Sequence, residues 1–365
     1  MPALFLSILC IVTLTGASHA DIVYPGQTWE RRSPEQAGLH IDQLDSFAEF
    51  MAGRGCVIRD GYLIYEWGDA AKRGDVASAV KPWNTHFLLL AVDQGNLSSL
   101  DAKLADYIPC LSSINAALGF KDREITFRHA ANQTSCYGVT ESPGTAFDYN
   151  DWQMALFFDA LYLGVYETSH QTVDETVLHP LLTDVLECED NPTLLAFGAD
   201  HHAGRLAISP RDFARFGWFY LNMGRWHEKQ LISAELIQMA VTSPLPATLP
   251  RTKGIVAEMC PDARSIGSEK IPNNQTDHFG SYSWLWWING IDKNGKRRWP
   301  DVDSNVYAAL GHRHGMRGMA VFPSQRIVVS WNDSKIGELP KEANPLNDAF
   351  RLIEASTKSD EGTIK

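Results

Sequence analysis

Strand-forming sequence lies near both ends of this chain, and a long helical stretch separates the two portions. Near the start, Cys56-Val57-Ile58-Arg59 and Tyr62-Leu63-Ile64-Tyr65-Glu66-Trp67 flank Asp60-Gly61. A two-residue Asp-Gly link between apolar runs is a strong hairpin signal. Ahead of it, Ser33-Pro34-Glu35 predicts a helix start, with Ser as N-cap, Pro at the first position and Leu39, Leu44, Phe47 and Phe50 on one side. From about residue 76 to residue 245 the period is helical: Trp83 to Val92, Asp151 to Tyr166, and a helix capped by Ser209-Pro210-Arg211-Asp212. That last helix sets Phe213, Phe216, Tyr220 and Leu221 at i, i+3, i+7 and i+8. Strands return at Tyr282 to Ile288, Val306 to Leu310, Gly318 to Phe322 and Ile327 to Trp331, and a last helix runs near Leu346 to Ala355. The two ends are alike in character. They are expected to build one antiparallel sheet covered by terminal helices, with a helical domain inserted. The predicted class is α+β, with a discontinuous sheet domain over residues 21–80 and 255–365 and a mainly helical domain over residues 81–254.

Composition excludes several partners. Among 365 residues, 44 acids against 32 bases leave a formal charge of −12, so no basic surface for nucleic acid is expected. With 44% hydrophobic and 21% charged residues, the chain has ordinary globular composition rather than that of a disordered one. Leu4 to Leu14 is a largely apolar run, too short for a bilayer, which takes roughly 20 apolar residues. Ser18 and Ala20 then fit a small-x-small cleavage rule, so residues 1–20 are expected to be a signal peptide cut before Asp21. The mature chain would be secreted or periplasmic, with no stable membrane insertion after cleavage. It would keep Cys56, Cys110, Cys136, Cys188 and Cys260, an odd number without zinc-site spacing. One bridge is compatible with export, but its pairing is not readable from sequence.

There is no G-x-S-x-G elbow, no H-E-x-x-H and no Walker loop. Asp200-His201-His202 and His312-Arg313-His314 lack a carboxylate at helical spacing and are weak metal ligands, so no metal and no cofactor is expected. Ser78-Ala79-Val80-Lys81 carries more weight. Ser78 alone among the serines has a lysine three residues on. On a helix those positions share a face, so the amine can reach the hydroxyl. A serine hydroxyl is a poor nucleophile until a base takes its proton, and a neutral lysine can be that base. By itself the pair is a weak signal and reads better as a solvated helix face.

Its surroundings resemble the serine β-lactamase and penicillin-recognising family, in the branch of class C β-lactamases, DD-peptidases, family VIII carboxylesterases and 6-aminohexanoate-dimer hydrolases. The resemblance rests on Asp75-Val76-Ala77-Ser78-Ala79-Val80-Lys81, Ile125-Thr126-Phe127-Arg128-His129, Pro143-Gly144-Thr145-Ala146-Phe147-Asp148-Tyr149-Asn150-Asp151 and Ser209-Pro210-Arg211-Asp212-Phe213, in that order over roughly residues 33–355. It implies a β-lactamase/transpeptidase-like fold and a hydrolase that forms an acyl-enzyme on a small-molecule ester or amide. Ser78 would be the nucleophile, Lys81 its base, and Tyr149 a proton shuttle. The family's third element fits Arg313-His314-Gly315 or His314-Gly315-Met316; the second register is favoured and puts His314 and Gly315 at the substrate. Amides of Ser78 and of a residue near Arg317 would form the oxyanion hole. Three departures stand out. Asp151 replaces an amide that donates to a lactam side chain, Met316 stands where glycine is expected, and Pro82 follows Lys81 directly. Asp151 favours esterase or amidase over β-lactamase or DD-peptidase, and the intact Ser78, Lys81 and Tyr149 set argues against a non-catalytic binding relative. Trp284, Trp286 and Trp287 suggest an aromatic cleft wall or a packed strand core.

Overall fold

A computed structural model describes residues 22–195 and 202–357. The expected signal peptide, Asp200 and His201 lie outside the described residues. The main sheet has seven strands: β1 (Arg54–Arg59), β2 (Tyr62–Trp67), β3 (Tyr282–Ser283), β4 (Trp286–Ile288), β5 (Tyr307–Gly311), β6 (Arg317–Phe322) and β7 (Ile327–Asn332). Their order across the sheet is β2-β1-β7-β6-β5-β4-β3, and every neighbouring pair is antiparallel. The two ends of the chain meet in the middle of the sheet, where Val57 stands opposite Val329. This is the α+β fold with an antiparallel sheet that the strand pattern predicts.

Side chains alternate across β7 and decide what covers each face. Trp331 and Phe322 pack edge-on against Phe350 of helix α7 (Pro345–Ser356), and helix α1 (Ile41–Met51) lies beside α7. On the other face, helix α5 (Pro210–Leu221) crosses β1, β6 and β7. A Cβ on Gly217 would lie 2.5 Å from Val328 Cγ1, so glycine lets α5 approach the sheet closely. This helix falls within the 81–254 stretch, yet its apolar side packs on the sheet.

Helix α2 (Lys81–Asp93) lies next to α5, with Trp83 tilted against Phe216 at 4.7 Å. Helix α3 (Phe127–Ala131) opens on Thr126, whose Oγ1 accepts from the His129 N–H. Helix α4 (Asp151–Phe158) continues through wider π-type turns to Val165, and helix α6 (Ala234–Thr242) adjoins β3 and β4.

Two expectations change. The segment after Ser33 makes a single turn that closes at Gly38 (φ +69°), with Leu39 N–H donating to Pro34 O at 2.7 Å, so the first helix starts at Ile41. The run Tyr282 to Ile288 is two strands, folded back at Trp284 and Leu285, which have φ of +49° and +68°. Long-range bonds hold these residues in the left-handed region. Asn132 Oδ1 accepts from the Trp284 N–H at 3.0 Å, and Thr85 Oγ1 donates to the Trp284 carbonyl at 2.7 Å. Cys110 and Cys260 form a disulfide with Cα atoms 5.8 Å apart. No helix among the described residues is long and apolar enough to cross a membrane.

Candidate active site

Ser78 lies on a tight turn, Ala77–Val80, that runs directly into α2. Pro82 falls in the first turn of α2, where no intrahelical amide is lost. On this geometry Lys81 Nζ lies 2.9 Å from Ser78 Oγ. Ala77, directly ahead of the serine, has φ +50°, a conformation that costs a residue with a Cβ about 1–2 kcal/mol. Asp75 offsets that cost. Its Oδ1 accepts from the Ala77 N–H at 2.7 Å, its Oδ2 accepts from Arg317 Nη1 at 2.9 Å, and Arg205 pairs with the same carboxylate. The end of β5 closes in from the other side. A Cβ on Gly311 would lie 2.1 Å from the Val76 carbonyl oxygen and 3.2 Å from the Ser78 amide nitrogen. Only glycine allows that strand to reach the serine's backbone.

Lys81 is 1% exposed. Its Nζ lies 3.8 Å from Asp151 Oδ1 and 4.6 Å from the centroid of the Tyr149 ring. The lysine nitrogen therefore sits between the serine hydroxyl, a carboxylate and an aromatic face. Tyr149 and Asp151 flank Asn150, whose Oδ1 accepts from the Gln153 N–H and starts α4. The Tyr149 ring stacks on Trp287 at 6.2 Å and meets Tyr282 edge-on at 5.8 Å. Asp151 Oδ2 also accepts from Ser268 Oγ at 2.8 Å and Gln275 Nε2 at 3.0 Å.

Ser78, Lys81, Tyr149 and Asp151, chosen from the sequence, thus come together in one cluster. It opens on a cleft of about 1010 Å³ lined in part by Ser78, Tyr149, Trp287, Arg298, His312 and Met316. His314 and Gly315 line the same cleft from the turn after β5; His314 Nε2 lies 3.2 Å from the Leu339 carbonyl oxygen. Arg317 reaches the nucleophile indirectly, through Asp75. Sequence reasoning passed over Gln275, which sits in a stretch without periodicity, and Arg298, which as an isolated charge carries no signal. His312 stood out only as a weak metal ligand. Desolvation, and then the nearby Arg317 guanidinium, hold its imidazole below the usual histidine range. Among the described residues no group of three or more His, Cys, Asp or Glu side chains is placed to hold a metal ion.

Solved structures share this architecture at low sequence identity. A Bacillus anthracis protein assigned as a 6-aminohexanoate-dimer hydrolase superposes with a TM-score of 0.60 and 14% identity over 92% of this chain and 88% of that one. The hydrolase EstCE1, described as having promiscuous acyltransferase activity, gives 0.55 and 13% over 87% and 97%. A class C β-lactamase from Rhodobacter sphaeroides gives 0.52 and 18% over 88% and 99%. These likenesses concern the fold. No curated protein sequence matches the chain. The β-lactamase family profile matches residues 51–290, a span that contains the whole Ser78 cluster, and the chain belongs to that family of serine hydrolases.

Proposed function

We propose that the protein cleaves an ester or amide bond of a small molecule through an acyl-enzyme on Ser78. The observation that carries this reading is Lys81 Nζ at 2.9 Å from Ser78 Oγ, with the lysine almost wholly removed from water. Ser78 Oγ attacks the substrate carbonyl carbon and passes its proton to Lys81 Nζ. Tyr149 relays a proton to the departing oxygen or nitrogen, the bond to the leaving group breaks, and water then hydrolyses the acyl-serine. A binding relative would have no use for a lysine amine buried against a serine, because burial of a polar group is costly. Asp151 supports ester or amide over lactam substrates: it offers only acceptors, and it is already engaged by Lys81, Ser268 and Gln275. Labelling with a fluorophosphonate followed by peptide mapping tests the reading. The expected adduct is on Ser78, and an adduct on another serine with Ser78 unmodified would overturn it.

The same reading has the protein exported to a secreted or periplasmic location. Supporting it is the Cys110–Cys260 bridge, a type of bond that persists in oxidising compartments. Mass spectrometry of the exported product is expected to find Asp21 at the N-terminus.

A further inference from the structure

The strand-side wall of the cleft carries a cation that no carboxylate among the described residues pairs with. Arg298 lies in the connection between β4 and β5, with its backbone N–H donating to the Gly290 carbonyl at 3.1 Å. Its guanidinium carbon sits 4.1 Å from the Trp287 ring centroid, with Phe279 at 5.6 Å and Trp299 at 5.7 Å. Among the described residues no carboxylate pairs with it, and its buried Nε has no hydrogen-bond partner. Arg264 shows the completed version of this arrangement elsewhere in the molecule. It stacks on Phe158 at 5.4 Å and also grips Asp159 through Nη2 at 2.6 Å and Nε at 3.0 Å. Arg298 has the aromatic platform and lacks the carboxylate.

The charge around Arg298 runs against that of the chain. The protein carries −12 overall, yet Lys296, Arg297, Arg313 and Lys341 line the cleft beside Arg298. Of the two carboxylates on that lining, Asp292 is turned into its own loop, where Oδ1 accepts from the Asn294 and Lys296 amides at 2.8 and 2.9 Å; Glu342 is the other. A cleft with an excess of one sign concentrates ligands of the other. Desolvation draws the Arg298 guanidinium down to about 10, the direction expected when burial is not met by an anion. Trp287 joins the two halves of the cleft, because the ring beneath Arg298 also stacks on Tyr149.

We infer that Arg298 anchors a carboxylate carried by the substrate, so that the preferred esters or amides are anionic. This deepens the hydrolase reading and rests on it. The planar guanidinium offers the two-pronged grip that a carboxylate fits, and the apolar part of the substrate lies against Trp287 and Phe279.

Two measurements test the anchor. The first needs no turnover: folded Ser78→Ala protein is titrated with glutarate and with its neutral diamide, following tryptophan fluorescence and heat. Glutarate is expected to bind saturably and more tightly than the diamide, more weakly as salt rises, and roughly ten- to a hundredfold more weakly once Arg298→Met is added. Arg298→Lys keeps the charge without the fork and is expected to recover part of that loss. It also serves as the second variant should the methionine protein misfold. The second measurement compares kcat/KM for paired substrates, one with a carboxylate and one with an isosteric neutral end, on the acyl side in one series and on the leaving side in another. The charged member of at least one pair is expected to be preferred, with the preference reduced ten- to a hundredfold by Arg298→Met. Glutarate that fails to bind, or binds equally without Arg298, overturns the anchor, as does the absence of preference in both series of an active enzyme. Arg298-dependent glutarate binding without hydrolysis of any ester or amide upholds the anchor and rejects the hydrolase reading alone.

Discussion

The two walls of the cleft are built on opposite terms. On the helical side, Lys81 is buried and Asp151 half-buried, each is met by the other or by polar partners, and Ala77 is held in a costly conformation by Asp75. On the strand side, Phe279 is 45% exposed and Arg298 has a polar atom without a partner. A wall whose groups satisfy one another is set for a fixed chemical step. A wall with unmet valence is set to be completed by whatever enters. Chemistry and selection are thereby separated in space, and substitutions on the two sides should show it.

The helical wall should yield the largest losses. Ser78→Ala is expected to remove hydrolysis of p-nitrophenyl esters by at least about a thousandfold, with circular dichroism unchanged; full activity in a folded variant would remove Ser78 from the mechanism. Lys81→Arg and Lys81→Ala should follow, each costing on the order of a thousandfold in kcat. Arginine keeps the charge but cannot give up a proton, so the two variants should be nearly equal. Substantial rescue by arginine would reassign Lys81 to electrostatics and leave Tyr149 as the candidate base.

Asp75→Asn is expected to lower kcat by about ten- to a hundredfold with little change in KM, since the Ser78 backbone moves and the strand wall does not. Adding Ala77→Gly should recover part of that loss, because glycine holds φ +50° without help. No recovery would show that Asp75 acts by charge rather than by backbone restraint. A last test sharpens the comparison through stability rather than activity. His86, on α2, is enclosed by Phe87, Phe216, Phe219 and Tyr220, and burial draws it down to about 3. Its neutral form is favoured in the fold, so its contribution is complete above the ordinary histidine value and drains away as pH falls from about 6.5 toward 3. His86→Phe should therefore flatten the acid limb of unfolding free energy, by about 3 kcal/mol at pH 4 relative to pH 7. Parallel acid limbs in denaturation curves of the two proteins would show that α2 is not the acid-sensitive element.

How far the sequence could be read follows the same division. The Asp60-Gly61 hairpin, the Ser209 cap and the Ser78/Lys81 pair are local, and each sits where its neighbours in sequence put it. The turn at Trp284 and Leu285 was hidden, because two bulky residues enter the left-handed region only under the hold of Asn132 and Thr85, far away in the chain. The Cys110–Cys260 pairing spans 150 residues and has no local signature. Arg298 was invisible for a different reason. A charged residue in a connection reads as solvated surface, and only the rings of Trp287, Phe279 and Trp299 around it show otherwise.

The pairing of β1 with β7 has a consequence for when this protein can act. Val57 waits for Val329, and the strand end that abuts Ser78 is Gly311, so the parts made first are completed by those made last. Contacts of such sequence separation form late and slowly. A nascent chain emerging from the ribosome carries its nucleophile early but cannot assemble the cleft until nearly all of it has been made. Silence of the serine before the chain is complete therefore comes from topology itself.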